Sequence, residues 1–312
     1  MTLAPIVLFT YNRPIHTRAT IEALRANIGA EDTVIHIYSD GPKTPSQSDS
    51  VRQVRSYLRS VDGFRSVAII ERERNMGLAA SVIAGVTEIL SLHPAAIVME
   101  DDMITSRIFL SFMNVALQTY AGRSDIFSVT GYNYPLPIPR GYPDEAYLSY
   151  RSSSWGWGTW SDRWSKVDWK VSDFSEFMQD SAAQARLARG GADLLPMLRN
   201  QLAGKLDSWS IRFDYAHYKH DALCLHPTHS KLYNIGFDGS GVHCGVSAEY
   251  DVELDEEERS FNLRPDLQID PVILEIFNKR FCQVATSDVP SQAKSFLKRA
   301  LGRIGRMVRV IQ

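Results

Sequence analysis

Short apolar runs alternate with amphipathic stretches along the first 130 residues of the chain. Each run has the length of a buried strand and is followed by polar turn residues. Between runs, apolar positions recur three or four residues apart, as from Ile15 to Ile28, which is typical of a helix with one buried face. The alternation predicts an α/β fold: a mostly parallel sheet with helices on both faces. The predicted strands are residues 4–10, 33–38, 67–70, 95–99 and 126–130.

The pattern changes after Thr130, where prolines make the chain irregular. Residues 173–189 predict a helix, and residues 190–204 lead into another. In the first half, Ser106 is predicted to cap the helix after the fourth strand. Short strands are predicted at 222–226 and 231–234. We therefore divide the chain into residues 1–131, a second half of residues 132–282, and a linker with a helical tail at 283–312.

The fourth predicted strand runs directly into three carboxylates, Glu100, Asp101 and Asp102. Three adjacent like charges repel one another, and burying them without a partner is costly. A hard divalent cation, Mg²⁺ or Mn²⁺, is one natural counter-charge, because it prefers carboxylate oxygens and keeps positions open for phosphates. The alternative is a solvated acidic turn, and short acidic runs are common.

Polar residues also follow the other predicted strands. Tyr11-Asn12-Arg13 follows the first strand, Asp40 the second, and Arg74-Asn75 the third. Ligands of parallel α/β sheets bind at the carboxyl ends of strands, so these groups converge if the strands are neighbours. The expected ligand combines a metal, phosphates and a polar ring, which favours a nucleotide. No Gly-Lys-Ser/Thr loop and no Gly-x-Gly-x-x-Gly fingerprint follows the first strand.

Five of the six tryptophans lie between Trp155 and Trp169. They predict either a platform on which a sugar stacks or a core segment, and we expect most of the rings to be core with one or two facing a ligand. Asp207 has two candidate roles: it is either a helix cap or a catalytic carboxylate. The glycine-rich residues 236–243 are typical of a loop that closes over a ligand, and His243 could complete a metal site there.

Composition narrows the function. The 312 residues are 44% hydrophobic and 22% charged with a net charge of −2, which argues against a nucleic-acid binder. Three widely spaced cysteines favour a reducing compartment, and the absence of a signal peptide or a membrane-spanning run predicts a cytoplasmic protein.

The acid-rich residues 249–258 predict a solvated surface run. The basic, amphipathic residues 294–312 predict contact with an anionic membrane surface, on the inner face of the plasma membrane, or else a helix packed on the domain or a disordered tail.

Taken in order, these motifs resemble GT-A fold glycosyltransferases, most of all the N-acetylglucosaminyltransferase I group. The resemblance lies in Asn12-Arg13, Ser39-Asp40, the run 97–103 with its Glu-Asp-Asp, Lys205 to Trp209, Cys224 to Pro227, and Gly236 to Val242. The sequence departs from the group at Asn12, which replaces an acid, and in its tryptophan content. Arg74 to Gly77 is also similar to the Asn-x-Gly turn of the large inverting family 2 of bacterial sugar transferases.

The resemblance implies a metal-dependent, inverting transfer of a hexose or N-acetylhexosamine from a nucleotide diphosphate sugar, most often a UDP-sugar. The acceptor would be a hydroxyl of a glycan or lipid-linked acceptor, in bacterial surface polysaccharide synthesis. Asp207 would be the general base, Asp102 with His243 would hold Mn²⁺ or Mg²⁺, and Asp40 would read the base. The implied donor-binding residues are Thr10, Asn12, Arg13, Asp40, Arg74, Asn75, Glu100, Asp101 and Trp157.

Two other functions fit parts of the pattern. A nucleotidyltransferase that makes nucleotide sugars also joins an α/β sheet to acidic metal ligands, but it usually carries an early glycine-rich basic loop, and none occurs here. A non-catalytic carbohydrate-binding protein would use the tryptophan-rich segment alone and would not need carboxylates at strand ends.

Overall fold

The computed structural model describes residues 3–239 and 247–283, without the side chains of 282 and 283. Most predicted elements are present with shifts of one or two residues at their ends. The strands are β1 Ile6–Thr10, β2 Val34–Ser39, β3 Ser66–Glu71, β4 Ala95–Glu100, β5 Met103–Thr105, β6 Ile126–Thr130, β7 Ala146–Ser149, β8 Trp157–Trp160, β9 Leu223–Pro227 and β10 Leu232–Asn234. The helices are α1 Pro14–Arg25, α2 Ser48–Leu58, α3 Leu78–Leu90, α4 Phe109–Thr119, α5 Ser161–Trp164, α6 Phe174–Phe177, α7 Ser181–Leu187, α8 Leu194–Leu202, α9 Trp209–Lys219 and α10 Pro271–Gln283.

Eight of the described strands form one sheet in the order β3-β2-β1-β4-β8-β6-β9-β7. The first four are mutually parallel, β8 is antiparallel to both of its neighbours, and β6 and β9 are again parallel. The predicted mostly parallel α/β sheet is therefore confirmed. Because β8 pairs with both β4 and β6, the two halves divided at residue 131 share this sheet, and the boundary stays a prediction.

Alternating strand residues face two different cores. Ile6 and Leu8 of β1 join a cluster with residues of α1, α2 and α4. Val7 and Phe9 join a second cluster with residues of α3 and α9. Gly85 of α3 lets the second layer pack closely, because a Cβ there would lie 2.9 Å from the Phe9 ring. A strand with both faces covered must be apolar throughout, as the sequence of β1 is.

Two local predictions are wrong, and a third holds for most of its residues. Ser106 does not cap α4, whose N-cap is Ile108, and the Ser106 hydroxyl has no hydrogen-bond partner among the described residues. Residues 173–189 are not one helix, because Asp180 accepts from the N–H of Ala183 and starts α7 separately from α6. Most of the acidic run 249–258 is exposed as predicted, but the side chain of Asp255 is only 9% exposed and pairs with Lys231.

No helix in the described residues is both long and apolar enough to cross a bilayer. The predicted tail, residues 294–312, lies outside the described residues.

Candidate active site

The carboxyl ends of β1, β2 and β4 meet at one edge of the sheet. Thr10 at the end of β1 is in register with Ser39 of β2, and Phe9 is in register with Glu100 of β4. The residues that follow these three strands are therefore brought together, as the sequence predicted. This edge also receives the loop before α3 and the start of α9, described below.

Arg13 joins the two aspartates of the acidic triplet. Its Nη2 donates to Oδ1 of Asp101 and, at 2.9 Å, to Oδ2 of Asp102. Burial opposes the charge on this guanidinium, but the two adjacent carboxylates outweigh burial and hold the pKa of Arg13 above its usual value. The counter-charge that the triplet requires is thus supplied in part by the protein itself.

Asp101 is largely occupied by groups of the protein. In addition to Arg13, it accepts from the backbone N–H of Tyr11 at 3.3 Å and from the hydroxyl of Thr17 at 3.4 Å. It is only 4% exposed. Asp101 therefore fixes the turn between β1 and α1, and its predicted contact with a donor sugar stays a prediction.

Asp102 differs from Asp101 in having an unused acceptor. Its Oδ1 is buried and has no hydrogen-bond partner in the described part of the chain. Burial raises the pKa of Asp102, against the effect of Arg13. A buried carboxylate oxygen without a partner is costly, and a missing ligand is one explanation for such an atom.

The loop after β10 passes directly over Asp102. β10 pairs with β5, and the N–H of Ile235 donates to the carbonyl of Asp102 at 2.8 Å. A Cβ on Gly236 would lie 2.2 Å from Oδ2 of Asp102, so only glycine fits. His16 of α1 lies 3.0 Å from Asp238 of the same loop. His243 lies outside the described residues, so its predicted metal-binding role stays a prediction.

Glu100 lies on the side of the edge that faces α9. Burial, reinforced by the negative charges of Asp102 and Asp101, raises the pKa of Glu100 to about 8. A hydrogen bond from Trp209, the first residue of α9, acts in the opposite direction by favouring the carboxylate. Glu100 is thus held between the strand end and the start of this helix.

The carboxylate of Asp40 is engaged by three backbone N–H groups. Its Oδ1 accepts from the N–H groups of Gly41 at 3.0 Å and Met76 at 2.9 Å. Its Oδ2 accepts from Met76 and Gly77, both at 3.1 Å. These bonds occupy most of its acceptor sites, and its predicted role in reading a base stays a prediction. Asp40 anchors the loop before α3, and the amide of Asn75 adds a bond to the carbonyl of Gly41 at 2.9 Å.

Asp207 lies beside this loop. The cap prediction for it is wrong, because Ser208 is the N-cap of α9 and accepts from the N–H of Ile211. Oδ2 of Asp207 lies 3.8 Å from the position that a Cβ on Gly77 would take, and the φ of Gly77 is +76°. The Asp207 side chain is 70% exposed, with Arg212 3.6 Å away. It is accessible to an incoming hydroxyl.

Trp157 is not a ligand platform. It is 1% exposed, and its ring stacks on Trp209 at 4.7 Å and on Trp164 at 5.7 Å. The ring is covered by these two tryptophans, which belong to α5 and α9. Thr10 is 4% exposed and also points into the protein, toward the carbonyl of Tyr38. The side chains of Asn12 and Arg74 are partly exposed and exposed, respectively, at the same edge, and their predicted roles stay predictions.

Sequence reasoning placed Tyr11 at this edge without a role for its side chain, and it missed Arg55. The hydroxyl of Tyr11 donates to Gln47 at 2.5 Å and accepts from the N–H of Lys43. Arg55 of α2 donates to the carbonyl of Arg72 at 2.6 Å and to the carbonyl of Asp40 at 3.3 Å. Both side chains hold the loops at the strand ends. A basic residue on the inner side of an amphipathic helix was the available signal for Arg55.

The edge suits a cation shared with a ligand better than a closed protein cage. Among the described residues no three His, Cys, Asp or Glu groups are placed to hold a metal. Mg²⁺ does not need such a cage, since it is usually bound by one or two carboxylates together with substrate phosphates. The partnerless Oδ1 of Asp102 fits that requirement.

No protein-family model and no curated protein matches the chain. Among solved structures it is similar to the mannosyltransferase PcManGT from Pyrobaculum calidifontis, in complex with GDP-Man and Mn²⁺, at 10% identity and a TM-score of 0.29, covering 41% of this chain and 35% of that one. It is similar to TarS of S. aureus at 10% identity and a TM-score of 0.36, covering 54% and 30%. For mouse xyloside xylosyltransferase 1 the identity is 11%, the TM-score 0.34 and the coverage 71% and 83%.

This chain therefore spans only about a third of the length of the first two proteins. Two of these three proteins are sugar transferases by name, the class that the sequence motifs resemble. At TM-scores below 0.5 these similarities carry no inference about activity. A functional assignment has to rest on the residues at the strand ends.

Proposed function

We propose that this protein transfers a sugar from a nucleotide diphosphate sugar to a hydroxyl acceptor. The observation that carries the proposal is the partnerless, buried Oδ1 of Asp102 at the edge where β1, β2 and β4 end. That edge is where ligands of parallel α/β sheets bind. Asp207, an accessible carboxylate, lies at the same edge beside Gly77.

A divalent cation bound through Asp102 would neutralise charge on the diphosphate as it leaves. In the described part of the chain, Asp102 would be its ligand, and His243 remains a proposed second one. Arg13 adds a fixed positive charge beside Asp102, at 2.9 Å. Glu100, between the strand end and Trp209, would hold donor hydroxyls.

Asp207 is proposed as the general base. The acceptor hydroxyl oxygen forms a bond to the anomeric carbon of the donor while the bond from that carbon to the diphosphate breaks. Asp207 takes the hydroxyl proton, and the nucleoside diphosphate departs with the bonding electrons. One displacement inverts the anomeric configuration and needs no covalent nucleophile. The exposure of Asp207 suits this role, because an acceptor must reach it from solvent.

The finer assignment follows the motif resemblance. We propose a UDP-sugar as the donor, Mn²⁺ or Mg²⁺ as the cation, and a hexose or N-acetylhexosamine as the transferred group. The acceptor would be a glycan or lipid-linked acceptor of a bacterial surface polysaccharide. A cytoplasmic location, with residues 294–312 on an anionic membrane surface, is part of the same proposal.

The alternative of a non-catalytic carbohydrate-binding protein keeps only part of its support. Sugar stacking needs an open ring face, and Trp157, Trp160 and Trp164, all 4% exposed or less, do not offer one. Trp155 and Trp169 are partly buried, and they are the remaining candidates in the tryptophan-rich segment.

The test is an activity screen of the full chain with Mn²⁺. Nucleotide sugars are assayed for transfer and for slow hydrolysis, and sugar phosphates with nucleoside triphosphates are assayed for synthesis. We expect hydrolysis of at least one nucleotide sugar in the wild type, and loss of that activity in Asp102→Asn. Asp49→Asn is the matched control, since Asp49 is 76% exposed on α2. Synthesis from sugar phosphate without hydrolysis would instead identify a nucleotidyltransferase.

A further inference from the structure

The side chain of Asp207 is exposed, but the backbone that follows it is held in place. The N–H of Ser208 donates to Oε1 of Gln201, near the end of α8, at 2.6 Å. The next residue, Trp209, is buried and stacks on Trp157 at 4.7 Å. The carboxylate of Asp207, by contrast, is free to rotate about its side-chain bonds unless another group restrains it. The rate that a base contributes depends on its orientation, so such a restraint would matter for the reaction.

Arg212, in the first turn of α9, is held more firmly than Asp207. Its Nε donates to the carbonyl of Ser208 at 3.0 Å, and its Nη1 donates to the carbonyl of Trp169 at 3.3 Å. The side chain of Arg212 is only 16% exposed. Burial lowers the pKa of Arg212, and the negative charge of Asp207 opposes that shift. The two carbonyls thus fix a guanidinium whose Nη2 lies 3.6 Å from Oδ1 of Asp207.

The two oxygens of Asp207 face different groups. Oδ1 is the oxygen near Arg212, whereas Oδ2 lies toward the loop before α3, 3.8 Å from the position that a Cβ on Gly77 would take. Because glycine has no side chain, Gly77 leaves that space open. A fixed cation attracts Oδ1 and thereby restricts rotation of the carboxylate. This geometry leaves Oδ2 for an incoming hydroxyl.

The pair of Asp207 and Arg212 differs from an ordinary surface ion pair. Exposed pairs usually contribute little, because two long, flexible side chains must be ordered together. Here one partner is already ordered by two backbone carbonyls. The effect of the pair is therefore expected in the orientation of the Asp207 carboxylate more than in the stability of the fold.

We propose that Arg212 positions the base of the reaction: it holds Oδ1 of Asp207, so that Oδ2 takes the proton of the acceptor hydroxyl. This inference rests on the proposed function, since it takes Asp207 as the base. Arg212 is a positioning residue, because it acts through Asp207. Misplacing a catalytic group by about 1 Å can cost a factor of about 10² in rate, so removal of the Arg212 charge should lower kcat by about 10- to 10²-fold.

The experiment is a double-mutant cycle on the hydrolysis of a UDP-sugar, in which water is the acceptor. The full chain is assayed with Mn²⁺ and radiolabelled UDP-glucose or UDP-N-acetylglucosamine in separate series, which gives kcat and KM. The four proteins of the cycle are the wild type, Arg212→Gln, Asp207→Asn and the variant with both changes. Arg212→Lys, which keeps the charge, is added alone and together with Asp207→Asn. Urea unfolding is measured for every protein.

Arg163→Gln is the matched control. Arg163 of α5 also donates to backbone carbonyls, those of Ala121 at 2.6 Å and Arg123 at 3.1 Å, and it pairs with the exposed Asp162 at 2.7 Å. None of these partners belongs to the candidate site. We expect this control to lower the free energy of unfolding and to leave kcat unchanged.

In the presence of Asp207, we expect Arg212→Gln to lower kcat by about 10- to 10²-fold without changing the KM for the donor. Arg212→Lys should keep most of the wild-type kcat. In the Asp207→Asn background, neither change should lower the residual rate further, because the group through which Arg212 acts is absent. A purely structural role for Arg212 would lower the rate by the same factor in both backgrounds.

Two failures are distinguishable. If the wild type hydrolyses neither UDP-sugar, or if Asp207→Asn is as fast as the wild type, the proposed function loses its donor or its base, and this inference is refuted with it. If Asp207→Asn loses rate while Arg212→Gln keeps the wild-type kcat, or loses the same factor in both backgrounds, Asp207 stands as the base and the role of Arg212 is refuted. Should Arg212→Gln fail to fold, Arg212→Lys decides: retention of kcat supports the inference, and a loss that persists in the Asp207→Asn background would overturn it.

Discussion

Two clusters of charged side chains in this molecule differ in how completely their hydrogen bonds are satisfied. At the strand-end cluster, Asp102 receives one bond from Arg13 and keeps a buried oxygen without a partner. The second cluster is formed by Asp255, Lys231, Arg259 and Glu145. Asp255 accepts from Lys231 and, at 2.7 Å, from Arg259, and Arg259 also donates to Glu145 at 2.9 Å.

The pKa values of Asp102 and Asp255 are shifted in opposite directions. Burial raises the pKa of Asp102, and Arg13 offsets it only in part. Burial also acts on Asp255, but hydrogen bonds from Arg259 and Lys231 outweigh it and lower the pKa below its usual range. A network whose groups are satisfied stabilises one arrangement, whereas an unsatisfied group is available to a ligand. The comparison supports the ligand binding proposed for the first cluster and indicates a structural role for the second.

The largest expected effect is on turnover at the strand-end edge. Asp207→Asn removes the proposed base, so we expect transfer to fall by about 10²- to 10⁴-fold while nucleotide binding and thermal unfolding stay as in the wild type. Initial rates and calorimetric titration with the donor provide the measurements. Asp221→Asn is the control, because Asp221 lies just beyond the other end of α9 and is 74% exposed. Undiminished transfer by Asp207→Asn would exclude this residue as the base.

The next effect is on the stability of the second cluster. Lys231 is 1% exposed and lies between the rings of Phe112 and Phe261. Lys231→Met leaves the buried carboxylate of Asp255 without one partner, and breaking such a pair typically costs about 3–5 kcal/mol. Urea unfolding followed by circular dichroism measures the loss.

The matched control for that change is Lys279→Met on α10. Lys279 also pairs with a carboxylate, Glu275, but both side chains are about two-thirds exposed, so the unfolding free energy should stay unchanged. Equal stability of the two variants would contradict the structural role assigned to the second cluster.

The smallest effect concerns Asp214, a third buried carboxylate. It accepts from the N–H of Ser152 at 2.7 Å, and burial raises its pKa to about 6 although Arg151 opposes the shift. A carboxyl whose pKa is raised on folding binds its proton more tightly in the folded state, so its contribution to stability is lost as pH rises from about 4 to about 6. The expected loss is about 3 kcal/mol.

Unfolding free energies of wild type and Asp214→Asn, measured from pH 4 to pH 7, test this. The difference between the two proteins should change in favour of the variant as pH rises across that window. Asp255→Asn provides the opposite case, because the lowered pKa of Asp255 makes its contribution fall as pH decreases. A wild-type and Asp214→Asn difference that is independent of pH would show that folding does not raise the pKa of Asp214.

The sequence by itself determined six of the eight strands of the main sheet, all except β7 and β8, and the edge at which their polar ends meet. Those features depend on local apolar runs and on parallel pairing between near neighbours, as for β1, β2 and β4. Only the tertiary structure decided which polar groups stay available. Asp40 accepts from two N–H groups of a loop more than thirty residues away, and Trp157 is covered by the rings of Trp164 and Trp209. Residue type and spacing predict what a side chain can do, but its free acceptors and open faces depend on groups brought from distant parts of the chain.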